Sequence, residues 1–395
     1  MHNPELAATT EPRTLFDCFG HLHDPRIVKR SEHALYDILA IILIATIAGC
    51  DNFVAMADFA RSREQWFRDR MGLKLLNGIP SHDTLLRTMS LLNPTEFQIG
   101  FAQFVQVMMR HIPELQDKNI SIDGKAMCGS GHEDLGGAKR LVHMVGAWST
   151  AAGLALAQLP TDEKSNEITA IPKLLDLLDI SGALVTTDAM GCQKEIAAKI
   201  VAGHGDYLLQ VKGNQPNLHE DIQQLSAHLE KVKYADFDRY EDDPGQKSHG
   251  RMEYRFTVVI DDRELLKESI RDFDLWKELK SVVITKSLRE VEGKVSEETR
   301  YHISSRVATA ATFAKSVRGH WGIENGLHWV LDVAFGEDDH RLYGGHAAAN
   351  LAVVRRMALP LLKKPDVKLG IANRRLKASY DDEFLEEVLA VFPGN

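Results

Sequence analysis

The sequence predicts an α/β protein: a mixed sheet with helices on both faces, an all-helical N-terminal part and a β-rich insertion. Three observations carry this. Residues 31–112 show helical patterning and no strand alternation. From Lys118, three strand patterns follow one another with short connections. Beyond them helices and strands alternate, which reads as crossover connections.

Residues 1–30 read as loop, with Pro12 and Pro25. Helices are expected over 31–49 and 53–71. A third opens at PSHDTLLRTM (80–89), capped by Ser81 or Asp83, and a fourth covers 94–110. The apolar run ILAIILIATIA (38–48) falls short of the roughly 20 residues a membrane span needs, so it reads as a buried helix. Strands are expected over NISIDGKAM (119–127), LVHMVGAWS (141–149) and GLALAQLPT (153–161), the first two joined by a glycine-rich link. A helix capped by Ser165 or Asn166 follows over 167–178. Then come strand 183–189, helix 193–202, strand 206–212 and a helix from about Asn217. A meander feeding right-handed crossovers is the order of the ribonuclease H-like fold. Between 236 and 305, EYRFTVVI, KSVVITKSL and TRYHISS read as strands of an insertion, separated by charged linkers. Helical patterning resumes at about Ala308, runs through HWGIENGLHWVLD (320–332) and returns over 347–362. The expected division is a helical domain over 1–115, a catalytic domain over 116–235 and 306–378, an insertion over 236–305 and a tail over 379–395.

Composition bounds the function. At 395 residues, 44 % hydrophobic and 26 % charged, the chain buries a large core without staples. Its net charge of −9 argues against a small basic protein coating nucleic acid or membrane. Four cysteines without a C-x-x-C pair suggest neither a disulfide framework nor a thiolate zinc site. With no signal peptide visible, the expectation is a cytoplasmic protein.

The sequence holds no phosphate loop, no H-E-x-x-H helix and no nucleophile elbow. Carboxylates remain. Asp123 lies in the first strand (SIDGK) and Asp188 ends the fourth (VTTDAMG). If those strands are neighbours, two anions face each other, an arrangement that suits a bridging hard cation such as Mg²⁺ or Mn²⁺. Two unrelated strand-end aspartates are the alternative. Trp321 and Trp329, eight apart, read as core, with base stacking as the alternative. The acidic run Glu337, Asp338, Asp339 reads as a solvated loop, and otherwise as a competing source of a third carboxylate.

SIDGK (121–125), KSNEI (164–168), TTDAMGCQKEIA (186–197), DYLLQVKGNQ (206–215) and HWGIENGLHWVLDVAFGEDDHR (320–341) together resemble the DDE transposases of bacterial insertion sequences, in the H-repeat-associated branch. PSHDTLLR (80–87) resembles that branch's N-terminal associated domain. The resemblance implies a catalytic, metal-binding triad of Asp123, Asp188 and Glu324, separated by 65 and 136 residues. It implies two Mg²⁺ or Mn²⁺ ions, double-stranded DNA as element ends and target, and a homodimer in a synaptic complex. Cleavage at the ends and strand transfer would follow by phosphoryl transfer. A DNA-binding relative that does not transpose, or a nuclease on the same fold, are the other readings. The sequence departs from the family at two positions: an expected Arg four before the Glu is His320, and an expected Lys seven after it is Leu331. His328, one helical turn beyond Glu324, is a candidate phosphate contact in their place or else a packed histidine. Further DNA-contact candidates are Lys125 and Lys212, otherwise ordinary strand-end lysines, Asn214 and Gln215, otherwise residues that shape a turn, and Arg251. Residues 341–377 hold nine Lys and Arg, including Arg341, Arg355 and Arg356, against one acid, Asp366, which reads as a basic stretch for DNA phosphates or else as a solvated helix face.

Overall fold

The computed structural model describes residues 17–27, 31–110, 118–133, 139–161, 167–242, 251–291, 294–339 and 345–390. Fourteen α-helices and nine strands are found among them. The expected N-terminal helices form as α1 (Leu35–Ile47), α2 (Phe53–Ser62), α3 (Glu64–Asp69), α4 (His82–Leu91) and α5 (Pro94–Arg110). The stretch read as one helix over 53–71 breaks at Arg63, whose backbone leaves helical geometry (φ −125°, ψ 23°). Its guanidinium is tied instead to the Ser379 carbonyl and Asp382. Ser81 caps α4 by accepting from Thr84 N. The 38–48 run is a fully buried helix, and α1 packs on α12 (Ala347–Lys363). No helix among the described residues is long and apolar enough to cross a membrane.

The nine strands form one sheet, in the order β3-β2-β1-β4-β5-β9-β8-β7-β6. Strands β1 (Asn119–Glu133), β2 (Lys139–Ser149) and β3 (Leu154–Pro160) make the antiparallel meander. β1 runs further than expected, to Glu133, while Ser165 and Asn166 lie outside the described residues. Helix α6 (Glu167–Leu175) leads to β4 (Leu184–Thr187), which pairs parallel with β1, and α7 (Lys194–Ala202) leads to β5 (Asp206–Val211), parallel to β4. This is the ribonuclease H-like arrangement. The residues of 236–305 do not form a sheet of their own. β9 (Lys294–Ser304) pairs antiparallel with β5, and β8 (Ser281–Val291), β7 (Arg251–Ile260) and β6 (Asp238–Glu241) extend the same sheet.

Both faces of the central strands are buried, and this explains their apolar runs. On one face Leu184, Leu208, Val259 and Val283 pack under Phe313 and Val317 of α10 (Ala310–His320). On the other, Val185, Leu209, Val258 and Ile284 join the main core. The helix α10 therefore lies across the strands that carry the site, and the segment following it reaches their C-terminal ends.

Candidate active site

The β1–β4 register ends at Ile122 opposite Thr187. Asp123 and Asp188 each stand one residue beyond that pair, on adjacent parallel strands. Open α/β sheets bind ligands outside the carboxyl ends of their parallel strands, which is where β4 stops, while β1 runs on to Glu133. Asp188 is held by its own turn: its Oδ1 accepts from Met190 N at 2.9 Å and from Gly191 N at 3.4 Å. Glu324 arrives from the other side. It opens a π-helical turn, Glu324–His328, between α10 and α11 (Trp329–Phe335), a helical defect that occurs often at functional sites. Two glycines one turn apart let this segment lie close on β2. A Cβ at Gly326 would meet the Trp148 ring at 3.0 Å, and one at Gly322 would meet Thr150 at 3.2 Å. Asp123, Asp188 and Glu324 line one cavity of about 350 Å³, together with Lys212, Arg300 and His320.

The electrostatics of this cavity favour a cation. Burial, reinforced by the negative charges of Asp188, Glu167 and Glu324, pushes the Asp123 carboxyl up to about 7. Glu167, at the start of α6, was not among the residues singled out by sequence. Its carboxyl is also raised, by burial and then by Asp188. The signal for it is the glycine of SIDGK: a Cβ on Gly124 would collide with the Glu167 carboxylate. Among the described residues, no three His, Cys, Asp or Glu side chains close on one point tightly enough to hold a metal as they stand.

The histidines here are neutral. Burial holds His320 at about 4 and His328 at about 3. His320 Nδ1 shares a 2.9 Å hydrogen bond with Thr186 Oγ1, and His328 Nδ1 lies 3.7 Å from Asp123 Oδ2. His328 therefore presents no cation to phosphate; it packs beneath Asp123. Leu331, where the family pattern expects Lys, is core.

Several expected DNA contacts are corrected. Arg355 and Arg356 are 1 % and 2 % exposed and face Glu337, itself buried. Two arginines buried on α12 itself are not presented to DNA, and Glu337 is neither a solvated loop residue nor a third carboxylate lining the cavity. Burial alone would raise Glu337, yet Arg356, Lys125 and Arg355 outweigh it and hold the carboxyl at about 2. Lys125 is also buried, bound to Asp332 and, at 3.2 Å, to Glu337. Arg375 is buried against Asp51 and the Thr46 carbonyl, and Arg374 is spent on four backbone carbonyls, among them Leu362 and Val367. Three arginines of the basic stretch, Arg355, Arg356 and Arg375, are thus internal, whereas Lys363, Lys364 and Lys368 stay exposed. Asn214 Nδ2 donates to the Ala189 carbonyl (2.6 Å) and Gln215 Nε2 to that of Cys192 (2.9 Å), so both brace the loop carrying Asp188. Arg341 and the Arg251 side chain lie outside what the structure describes. The cations that do line the cavity are Lys212, which is exposed, and Arg300 on β9, which sequence reading missed. Trp321 and Trp329, expected in the core, are 43 % and 60 % exposed; the Arg300 guanidinium lies over the Trp321 ring at 4.8 Å.

Residues 116–361 match the family described as the transposase DDE domain, and residues 16–105 the DDE_Tnp_1-associated family. The chain belongs to the DDE transposase family. The putative transposase YncI of Escherichia coli O157:H7 is 39 % identical over 96 % of this chain and 95 % of its own length. The H repeat-associated putative transposase YhhI of Escherichia coli K12 is 37 % identical, covering 96 % of this chain and 98 % of its own. Among solved structures, a piggyBac transposase synaptic complex with hairpin DNA is similar at a TM-score of 0.44 and 9 % identity, over 96 % of this chain and 82 % of that one. Family membership makes the chain an enzyme of the class that cuts and joins DNA, with the ribonuclease H-like sheet as its frame.

Proposed function

We propose that this transposase cleaves the ends of its insertion sequence and transfers the freed strands to target DNA, using Asp123, Asp188 and Glu324 as its triad. The observation that carries the reading is their meeting in one cavity where β4 ends beside β1, with Asp123 raised to about 7 by burial and its anionic neighbours. Hard carboxylate oxygens in a site short of positive charge fit Mg²⁺ or Mn²⁺, and the three residues would hold two such ions. Bound there, a divalent cation supplies positive charge at the scissile phosphate.

The chain's own groups do the rest. Lys212 and Arg300, the latter paired with Glu298, line the same cavity and would neutralise flanking phosphates. A second groove, of about 480 Å³, continues past Arg300 and Trp321 over β7, β8 and β9, lined by Arg255, Arg289 and Arg318. Arg255 and Arg318 are paired with Glu253 and Asp242 at the surface, and such exposed pairs exchange readily for phosphate. Residues 236–305, an insertion by chain order, serve on this reading as the DNA-contacting wall of the catalytic domain. The partner is double-stranded DNA, and a homodimer brings two element ends together.

The test is a cleavage and strand-transfer assay with the full chain, Mg²⁺ and DNA bearing the element's own inverted-repeat ends. Strand transfer supports the reading. Cleavage alone points to a nuclease, and binding with neither to a relative that no longer transposes. The Asp188→Asn variant cutting at the wild-type rate would overturn the triad.

A further inference from the structure

Lys125 stands two residues after Asp123, so both side chains project from the same face of β1. Over that face runs the segment bearing Glu324. Two points tie it to β1. His328 lies beside Asp123, 3.7 Å away. Eight residues beyond Glu324, Asp332 accepts from the Lys125 ammonium, which also contacts Glu337 at 3.2 Å and Asp338 at 3.9 Å. Glu337 is in turn anchored to α12 by Arg356 Nη1, which donates at 2.9 Å. A lysine left 9 % exposed and ringed by three carboxylates is not presented to DNA. Its bonds instead tie one strand to one helix. A π-helical turn adds slack at Glu324 itself, so the axial register of the segment is set by whatever holds its downstream end.

We propose that Lys125 is a positioning residue: clamped between Asp332 and Glu337, its ammonium fixes the register of the Glu324 segment over β1, and thereby the approach of Glu324 to Asp123 needed to hold a divalent cation. This rests on the cation site proposed above.

The experiment uses the full chain and its Lys125→Met, Asp332→Asn and doubly substituted forms. Mn²⁺ binding without DNA is followed by the electron paramagnetic resonance of free Mn²⁺, and DNA affinity is measured in EDTA. Groups that orient metal ligands are typically worth 10–100-fold in metal affinity, so each single substitution is expected to weaken Mn²⁺ binding about ten-fold. The double form should be no worse than Lys125→Met alone, because without the ammonium Asp332 has no clamp contact left to lose. DNA affinity in EDTA should stay within about two-fold, and Lys125→Arg should recover part of the Mn²⁺ affinity.

Unchanged Mn²⁺ binding in the variants, or additive losses, would overturn the clamp. So would weaker DNA binding with a shallower salt dependence, the mark of a phosphate contact. Wild-type protein that binds no Mn²⁺ overturns the cation site and the clamp with it. Should Lys125→Met fail to fold, Asp332→Asn decides alone, since Asp332 is partly in solvent and its loss strands no buried anion.

Discussion

Replacing Glu337 by Gln removes the only fully buried carboxylate among three cations: Arg356 at 2.9 Å, Lys125 at 3.2 Å and Arg355 at 3.9 Å. Lys125 keeps Asp332, and Arg356 keeps its bond to the Ala352 carbonyl, but neither arginine retains an ion-paired carboxylate among the described residues. Arg355 already has one buried Nη2 without a hydrogen-bond partner among the described residues. Breaking a buried pair on one side costs about 3–5 kcal/mol, because a charge is left uncompensated. Proton linkage gives a similar size. A carboxyl moved from 4.5 to about 2 carries about 3 kcal/mol of stability at neutral pH. The sign is that of a depressed acid. The unfolded chain binds the proton first, so this stability is full above 4.5 and drains away as pH falls toward 2. Urea unfolding followed by tryptophan fluorescence measures it. Glu337→Gln should be less stable than wild type by about 3 kcal/mol near neutral pH, and the gap should close as the pH falls through that window. A gap below about 1 kcal/mol, or one indifferent to acid, refutes the assignment of Glu337 as the keystone of this ion network.

Three further outcomes are expected. Asp188→Asn removes a negative neighbour, so the Asp123 carboxyl should fall below about 7 in metal-free protein while burial keeps it above the ordinary carboxylate range; carbon-13 NMR titration of labelled aspartate reads it, and an unmoved midpoint contradicts the shared field. In Gly191→Ala, the new Cβ would sit 2.6 Å from Thr187 Cβ and Oγ1, displacing the turn that holds Asp188. We expect about 1–3 kcal/mol of lost stability by thermal unfolding and a cleavage rate at least about ten-fold lower, whereas a wild-type rate would show that the turn does not position Asp188. Arg300→Ala should weaken DNA binding and reduce the salt slope by about 1, leaving the fold intact; an unchanged slope would place DNA elsewhere.

Much of the architecture is legible in the chain. Turn spacing and apolar alternation give the meander, and these are local signals that need no knowledge of distant contacts. That β4 pairs with β1, which brings Asp123 and Asp188 together, is only a condition at the level of sequence and is settled by the folded sheet. The pairing of β5 with β9 joins segments about 100 residues apart and has no local signature, which is why residues 236–305 read as a separate unit. Charge was the least legible property. The basic residues after Arg341 read as a DNA-facing stretch, yet Arg355, Arg356 and Arg375 point inward to Glu337, Asp51 and backbone carbonyls.

The sequence by itself determined the order of elements and the residue types at the strand ends, because periodicity and turn chemistry act over a few neighbouring residues. Only the tertiary structure decided which charges meet solvent and which meet each other. Lys125 and Arg300 look alike as isolated cations, and one lies in a buried clamp while the other lines the cavity. A charge takes its role from what lies within a few ångströms, and long-range packing sets those neighbours.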